Sequence, residues 1–180
     1  VQVATLNGRG TLTRSGTGFV SIGTRVWLGE GGTLTASSDV FAGLVPQVVL
    51  ENGGLALTGS GPLTVNDLRT QGAGSLGWSL AAGVALTVSN LTHTAGTLTL
   101  PTGGTLTVVN LTPSGDRAVV LPAGRTTAVR QLATTTGGRV ILQGGTLQVL
   151  DSLTNVGRFA LLNEGLILPD GTMLTPSLFD

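Results

Sequence analysis

Gly104-Thr105-Leu106-Thr107-Val108 sets a glycine before a strict alternation of hydroxyl and apolar side chains. The phrase returns as Gly145-Thr146-Leu147-Gln148-Val149, and in shorter form as Gly10-Thr11-Leu12-Thr13 and Gly32-Thr33-Leu34-Thr35. With a period of two, Leu and Val share one face of a strand and Thr takes the other. The glycine supplies the backbone freedom that a sharp bend requires. Working outward, corner glycines fall at Gly10, Gly32, Gly61, Gly83, Gly104, Gly124, Gly145 and Gly165, spaced 22, 29, 22, 21, 20, 21 and 20 residues apart. A recurrence of 20–22 residues built of strands and glycine corners predicts a β-solenoid. The fold class is therefore all-β, a single-chain parallel β-solenoid of about eight coils. At a stacking distance of about 4.8 Å the coils make a rod of roughly 40 Å.

Each coil carries two strand signals. One follows the corner: Leu63-Thr64-Val65, Leu86-Thr87-Val88, and the weaker Thr127-Ala128-Val129 after Gly124. The other precedes the next corner: Val26-Trp27-Leu28, Val48-Val49-Leu50, Leu98-Thr99-Leu100, Val119-Val120-Leu121 and Val140-Ile141-Leu142. Between them a third short strand fits at Asn90-Leu91-Thr92, Asn110-Leu111-Thr112 and Gln131-Leu132-Ala133. No window carries a helical period. The apolar side of each strand is the expected core; β-branched, uncharged Thr suits the outside.

The chain reads as one domain over residues 1–180, with an N-terminal cap at 1–9. The long interval between Gly32 and Gly61 places an insertion near 54–75, although Gly53-Gly54 itself resembles a corner. Insertions in solenoids map to one face, often the binding face. Residues 169–180 lack the corner glycine and form a C-terminal cap or docking tail, with Leu178-Phe179 the apolar element in it. Residues 54–75 and 169–180 are the candidate contact segments.

Composition excludes several functions. Charged residues are 10% of the chain and the formal net charge is zero, so no basic footprint for nucleic acid exists. All nine basic residues are arginine. The absence of cysteine removes disulfides, Cys-based zinc sites and thiol nucleophiles. Aromatic residues are 3% with no tyrosine, too few for a sugar platform or a base-stacking surface. No apolar run approaches the roughly 18 residues of a membrane span. The opening Val1-Gln2-Val3-Ala4-Thr5-Leu6-Asn7 is strand-like, not a basic stretch followed by an apolar one.

Candidate chemistry is sparse. Asp67, Asn90, Asn110, Gln131 and Asp151 recur six or seven residues after successive corners. Stacked amides and carboxyls at a bend satisfy backbone and side-chain groups coil after coil. A row of calcium ligands would need more carboxylates, and here they stand only at the two ends. His93, the one histidine, lies in Thr92-His93-Thr94-Ala95-Gly96 and reads as a solvated turn residue. Glu30, Glu51 and Glu164 precede corners and read as solvated acids, without the aromatic platform of a paired-carboxylate glycosidase. Asp116-Arg117 is the closest approach to the acid and base of a polysaccharide lyase, and it is a single adjacent pair. Gly8-Arg9-Gly10 and Gly16-Thr17-Gly18 precede no helix, so they form no phosphate loop. Arg117, Arg125, Arg130, Arg139 and Arg158 gather in the C-terminal half, where Arg130 and Asp151 fall in phase to pair across the stack. No catalytic, cofactor-binding or metal-ligating residue is assigned.

The recurrent Gly-x-Leu-x-Val runs over residues 10–168 resemble those of phage fibres, tailspikes and head-decoration proteins. They equally resemble autotransporter and filamentous-haemagglutinin passengers. The resemblance implies a non-catalytic structural protein: a virion decoration or fibre subunit working through contacts with a capsid or sister subunits. By analogy with phage β-helical proteins it implies a homo-oligomer, a trimer in particular, on the virion surface. The alternative is a secreted adhesin passenger at the cell surface, and the remote one a polysaccharide-active β-helix enzyme. The modest length and the strand-like start favour the virion class.

Overall fold

The structure is a computed structural model that describes residues 2–7, 10–12, 19–29, 33–41, 43–71, 78–114, 117–162 and 164–176. Among the described residues, fourteen strands and one 3-10 turn (Ser38–Val40) make up the regular structure. The strands are β1 (Gln2–Asn7), β2 (Gly10–Leu12), β3 (Ser21–Gly29), β4 (Thr33–Ser37), β5 (Leu44–Glu51), β6 (Gly54–Thr58) and β7 (Pro62–Gln71). They continue as β8 (Trp78–Leu80), β9 (Ala85–His93), β10 (Thr97–Thr99), β11 (Thr105–Pro113), β12 (Arg117–Leu161), β13 (Gly165–Ile167) and β14 (Met173–Leu174). β1, β3, β5, β7, β9 and β11 lie side by side in one parallel ladder, one strand per winding. β2, β4, β6 and β8 form a second parallel ladder. The fold is an all-β parallel β-solenoid. β12 meets β11 through Val129, Gln131 and Leu132 and meets β13 through Thr146, Leu147 and Gln148. β12 thus runs through successive coils, with the left-handed Gly124 and Gly144 marking corners within it.

Each long strand turns a corner. In β9 the buried positions are Leu86 and Val88, then Leu91 and His93. The step from Val88 to Leu91 is three residues instead of two, so the strand must bend to keep both halves facing inward. The register skips the residue at this bend: Val65 pairs with Val88, and pairing resumes at Asp67 with Asn90. The third strand expected at Asn90-Leu91-Thr92 is therefore the second arm of β9. The short strands β4, β6, β8 and β10 supply the remaining side of the coil.

Stacking places like on like. Leu6, Val26, Val48, Leu68, Leu91, Leu111 and Leu132 follow in register down the second arm. Val45, Val65, Val88, Val108 and Val129 do so down the first. Apart from Leu6, these residues are buried in one continuous core. Removing such a side chain from water contributes about 1.5–3 kcal/mol.

The register corrects two expectations. Gly54–Thr58 is no insertion, because β6 pairs residue for residue with β4, from Thr33 with Gly54 to Ser37 with Thr58. Asn52 takes the left-handed conformation at that corner (φ 55°), a role asparagine tolerates. Pairing advances by 20 residues at Glu51 with Gln71 and by 23 at Leu55 with Trp78, so the extra length falls between Gln71 and Trp78. Residues 72–77 lie outside the described residues. Not every corner glycine acts through its backbone angle either. Gly104 and Gly124 are left-handed, but at the next corner Gly144 takes that conformation. Gly145 instead sits where a Cβ would strike the carbonyl oxygens of Pro122 and Arg125 on the coil below.

The last coil closes differently. β14 pairs antiparallel with β13, Leu174 with Leu166 and Met173 with Ile167. The hairpin is tightened by Leu168 N–H to Thr172 O at 2.8 Å and Gly171 N–H to Leu168 O at 2.9 Å. An antiparallel return covers a ladder edge that would otherwise present unpaired backbone groups. Leu178-Phe179 lies outside the described residues.

Candidate functional site

Three of the five corner residues, Asp67, Asn90 and Asn110, form a hydrogen-bonded ladder. Asn90 Nδ2 donates to Asp67 Oδ1 at 3.0 Å, and Asn110 Nδ2 donates to Asn90 Oδ1 at 2.8 Å. Gln131 registers beside Asn110, and Gln47 beside Asp67. Gln47 escapes the corner-glycine count because the position that corresponds to Gly61 in its coil is Phe41. Asp151 bonds to Arg130 at 3.2 Å, with both side chains largely exposed. Such a pair stabilises little. Asn90 and Asn110 thus each spend a side-chain hydrogen bond on a neighbour in the row. Among the described residues no group of three or more His, Asp or Glu side chains could hold a metal ion.

His93 overturns its reading as a solvated turn residue. It is fully buried, at 0% exposure. Two residues beyond Leu91 in the inward phase, it stands in register with Thr70 on one side and Pro113 on the other. Its Nδ1 lies 2.9 Å from Thr70 Oγ1 and its Nε2 lies 3.1 Å from Gly96 O. A carbonyl can only accept, so Nε2 carries the proton and Nδ1 accepts from the threonine hydroxyl. Burial pushes the imidazole below its ordinary value; the Gly96 hydrogen bond opposes this and the Arg117 charge adds to it. With both nitrogens engaged and no solvent access, this histidine is core structure.

The acids are dispersed and engaged singly. Glu51 Oε2 accepts from Trp27 Nε1 at 3.2 Å, and Glu164 Oε1 accepts from Gly124 N–H at 2.9 Å. Asp170 accepts from Thr172 N–H at 2.9 Å, which holds its carboxyl below the usual range. Glu30 and Asp116 lie outside the described residues.

What the fold does build is a flat side. On the outer surface of the first arm, Leu44, Thr64, Thr87 and Thr107 follow in register from coil to coil. Beside them runs the row Pro62, Ala85 and Thr105. Most of these are exposed, Leu44 at 53%, and none is charged. The outer row of the second arm, Trp27, Val49, Arg69, Thr92 and Thr112, is by contrast interrupted by a charge and a large ring.

No protein-family model, curated protein or solved structure matches the chain. Among the described residues, no helix is long and apolar enough to cross a membrane. The geometry is that of a β-solenoid scaffold suited to protein contacts.

Proposed function

We propose that this chain is a non-catalytic structural rod whose first-arm face docks on a protein surface, and that it works as a subunit of a virion exterior. The observation that carries the reading is the uncharged row Leu44, Thr64, Thr87 and Thr107 with its neighbour Pro62, Ala85 and Thr105. Rigid β-branched side chains at coil spacing lose little freedom on contact, and a charge-free surface is desolvated at small cost. Sister subunits or a capsid are the partners, and a trimer is the assembly that the resemblance to phage β-helical proteins implies. An adhesin passenger would use the same face against a cell-surface protein.

The test is mass by light scattering beside thermal melting, for the native chain and for Thr87→Arg. Thr87 is outward-facing, so the substitution leaves the core untouched. A native oligomer that Thr87→Arg dissociates without changing Tm is expected. A native chain that stays monomeric at high concentration and cleaves a polysaccharide would sink the reading.

A further inference from the structure

The column of inward residues heading the first arm changes character between Leu106 and Leu147. Leu63, Leu86 and Leu106 pair in register, and Leu147 pairs with Leu166 in the closing coils. Between them, the pairing of β11 with β12 begins at Val108 with Val129, and two residues earlier Thr127 holds the position that corresponds to Leu106. A threonine is shorter than leucine and brings a hydroxyl into an apolar column. The effect is visible on its neighbour: Leu63, Leu86 and Leu147 are 3%, 2% and 0% exposed, whereas Leu106 is only half-buried. A cleft of about 230 Å³ opens there, lined by Leu100, Leu106, Pro101, Pro122, Thr127 and Arg125.

Arg125 stands at this cleft with donors to spare. Its Nη1 donates to Thr102 O, 2.9 Å away on the preceding coil. A guanidinium has five N–H donors in a fixed fork, so the rest remain for a ligand. Arg130 has Asp151, but Arg125 has no carboxylate partner among the described residues. The nearby Glu164 is turned instead to the Gly124 N–H.

We propose that this cleft binds a small monocarboxylate with a compact apolar body, the carboxylate on Arg125 and the body against Leu106 and Thr127. The cleft is open on one side and mixed in lining, with Leu100, Leu106 and two prolines beside three threonines and Arg125; its volume of about 230 Å³ is large enough for a six-membered ring with a carboxylate. So few atoms bind weakly, with Kd in the range of about 0.1–5 mM. Thr105 belongs both to the cleft and to the first-arm face, whereas Arg125 and Thr127, which carry the proposal, stand outside that face's two rows.

The experiment is a titration of the amide resonances of Gly104, Thr126, Thr127 and Ala128 with benzoate, with benzyl alcohol as the uncharged comparison. Saturable shifts at these amides are expected with benzoate, and affinity lower by about tenfold or more with benzyl alcohol. Thr127→Leu, which refills the column, and Arg125→Ala, which removes the fork, should each weaken benzoate by about tenfold or more. Thr127→Val keeps the volume and should retain binding, which separates loss of the cleft from loss of the fold; melting curves of each variant check the latter directly. No saturable shift at these amides up to about 50 mM benzoate, far above the expected Kd, would overturn the proposal. So would equal binding of benzyl alcohol, or benzoate binding undiminished by Thr127→Leu and Arg125→Ala.

Discussion

Thr70 and His93 face one another across adjacent coils, the threonine Oγ1 2.9 Å from the imidazole Nδ1, both side chains at 0% exposure. The neutral ring fits this pair: Nδ1 accepts from the hydroxyl while Nε2–H donates to Gly96 O at 3.1 Å. Protonation would put an uncompensated charge in the core, with Arg117 adding repulsion.

Stability should therefore fall on mild acidification. In the unfolded chain His93 takes up a proton near its ordinary 6.5, whereas the folded chain resists until lower pH. Across that window the unfolded state binds more protons, so stability decreases as pH drops, by at most about 1.4 kcal/mol per pH unit. His93→Leu should flatten the dependence of Tm between pH 7 and 5. The carboxylates are common to both proteins and cancel in the difference. Parallel pH profiles for the two would show that the histidine is not the titrating group.

The corner ladder should be load-sharing and metal-independent. Asn90 is the middle link, bonded at 3.0 Å to Asp67 and at 2.8 Å to Asn110. Asn90→Ala removes both bonds and should cost about 1–3 kcal/mol in urea unfolding. Gln131→Ala, at an exposed position beyond the bonded part of the row, should stay within about 0.5 kcal/mol. EDTA should leave Tm unchanged. A chelation-induced drop that calcium restores would instead make the row a cation site.

The period and the alternation carried the architecture because each coil repeats the same physical problem, burying Leu and Val while turning sharply. Phase alone located Asp67, Asn90 and Asn110 on one corner and Arg130 beside Asp151. His93 was hidden by its flanks: Thr94-Ala95-Gly96 reads as a turn, and a histidine in it reads as solvated. The signal that places it inside is its distance of two from Leu91, the same inward phase as Pro113 after Leu111. The extra length after Gln71 falls at the end of the expected 54–75 interval: counting from Gly61 pulls it forward, whereas taking Gly53-Gly54 as the corner, beside the left-handed Asn52, leaves it behind Gln71. The cleft at Arg125 has a sequence trace in Thr127 where leucine recurs, but its volume depends on the side chains of three successive turns.

Leucines in the same column should differ in cost. Leu86→Ala empties a site that is 2% exposed and should destabilise by about 2–5 kcal/mol. Leu106→Ala only enlarges an existing cleft open to water, and should cost no more than about 2 kcal/mol. Equal losses in urea unfolding would mean that Leu106 is packed as tightly as its neighbours.

Two left-handed glycines should likewise separate backbone strain from crowding. At Gly124, φ is +68° and a Cβ would meet nothing within 4 Å, so Gly124→Ala should cost only the conformational penalty, about 1–2 kcal/mol. At Gly104, φ is +59° and a Cβ would approach Val84 O at 2.7 Å and Ala81 O at 2.8 Å. Backbone carbonyls of a neighbouring coil cannot swing aside as a flexible side chain can, so Gly104→Ala should lower Tm well beyond Gly124→Ala. A smaller loss at Gly104 would show that the coils spread readily.

Removal of residues 169–180 should convert a closed end into an adhesive one. β14 is the antiparallel neighbour of β13, and Leu174 packs against the core. Without it, Leu166 and Ile167 present an unpaired parallel edge over a buried column, and open edges recruit other chains. The truncated chain should melt lower and grow in mass with concentration by light scattering. This end-to-end association should survive Thr87→Arg, because the first-arm face takes no part in it. A truncated chain with the mass and Tm of the full one would show that the hairpin merely rests on the last coil.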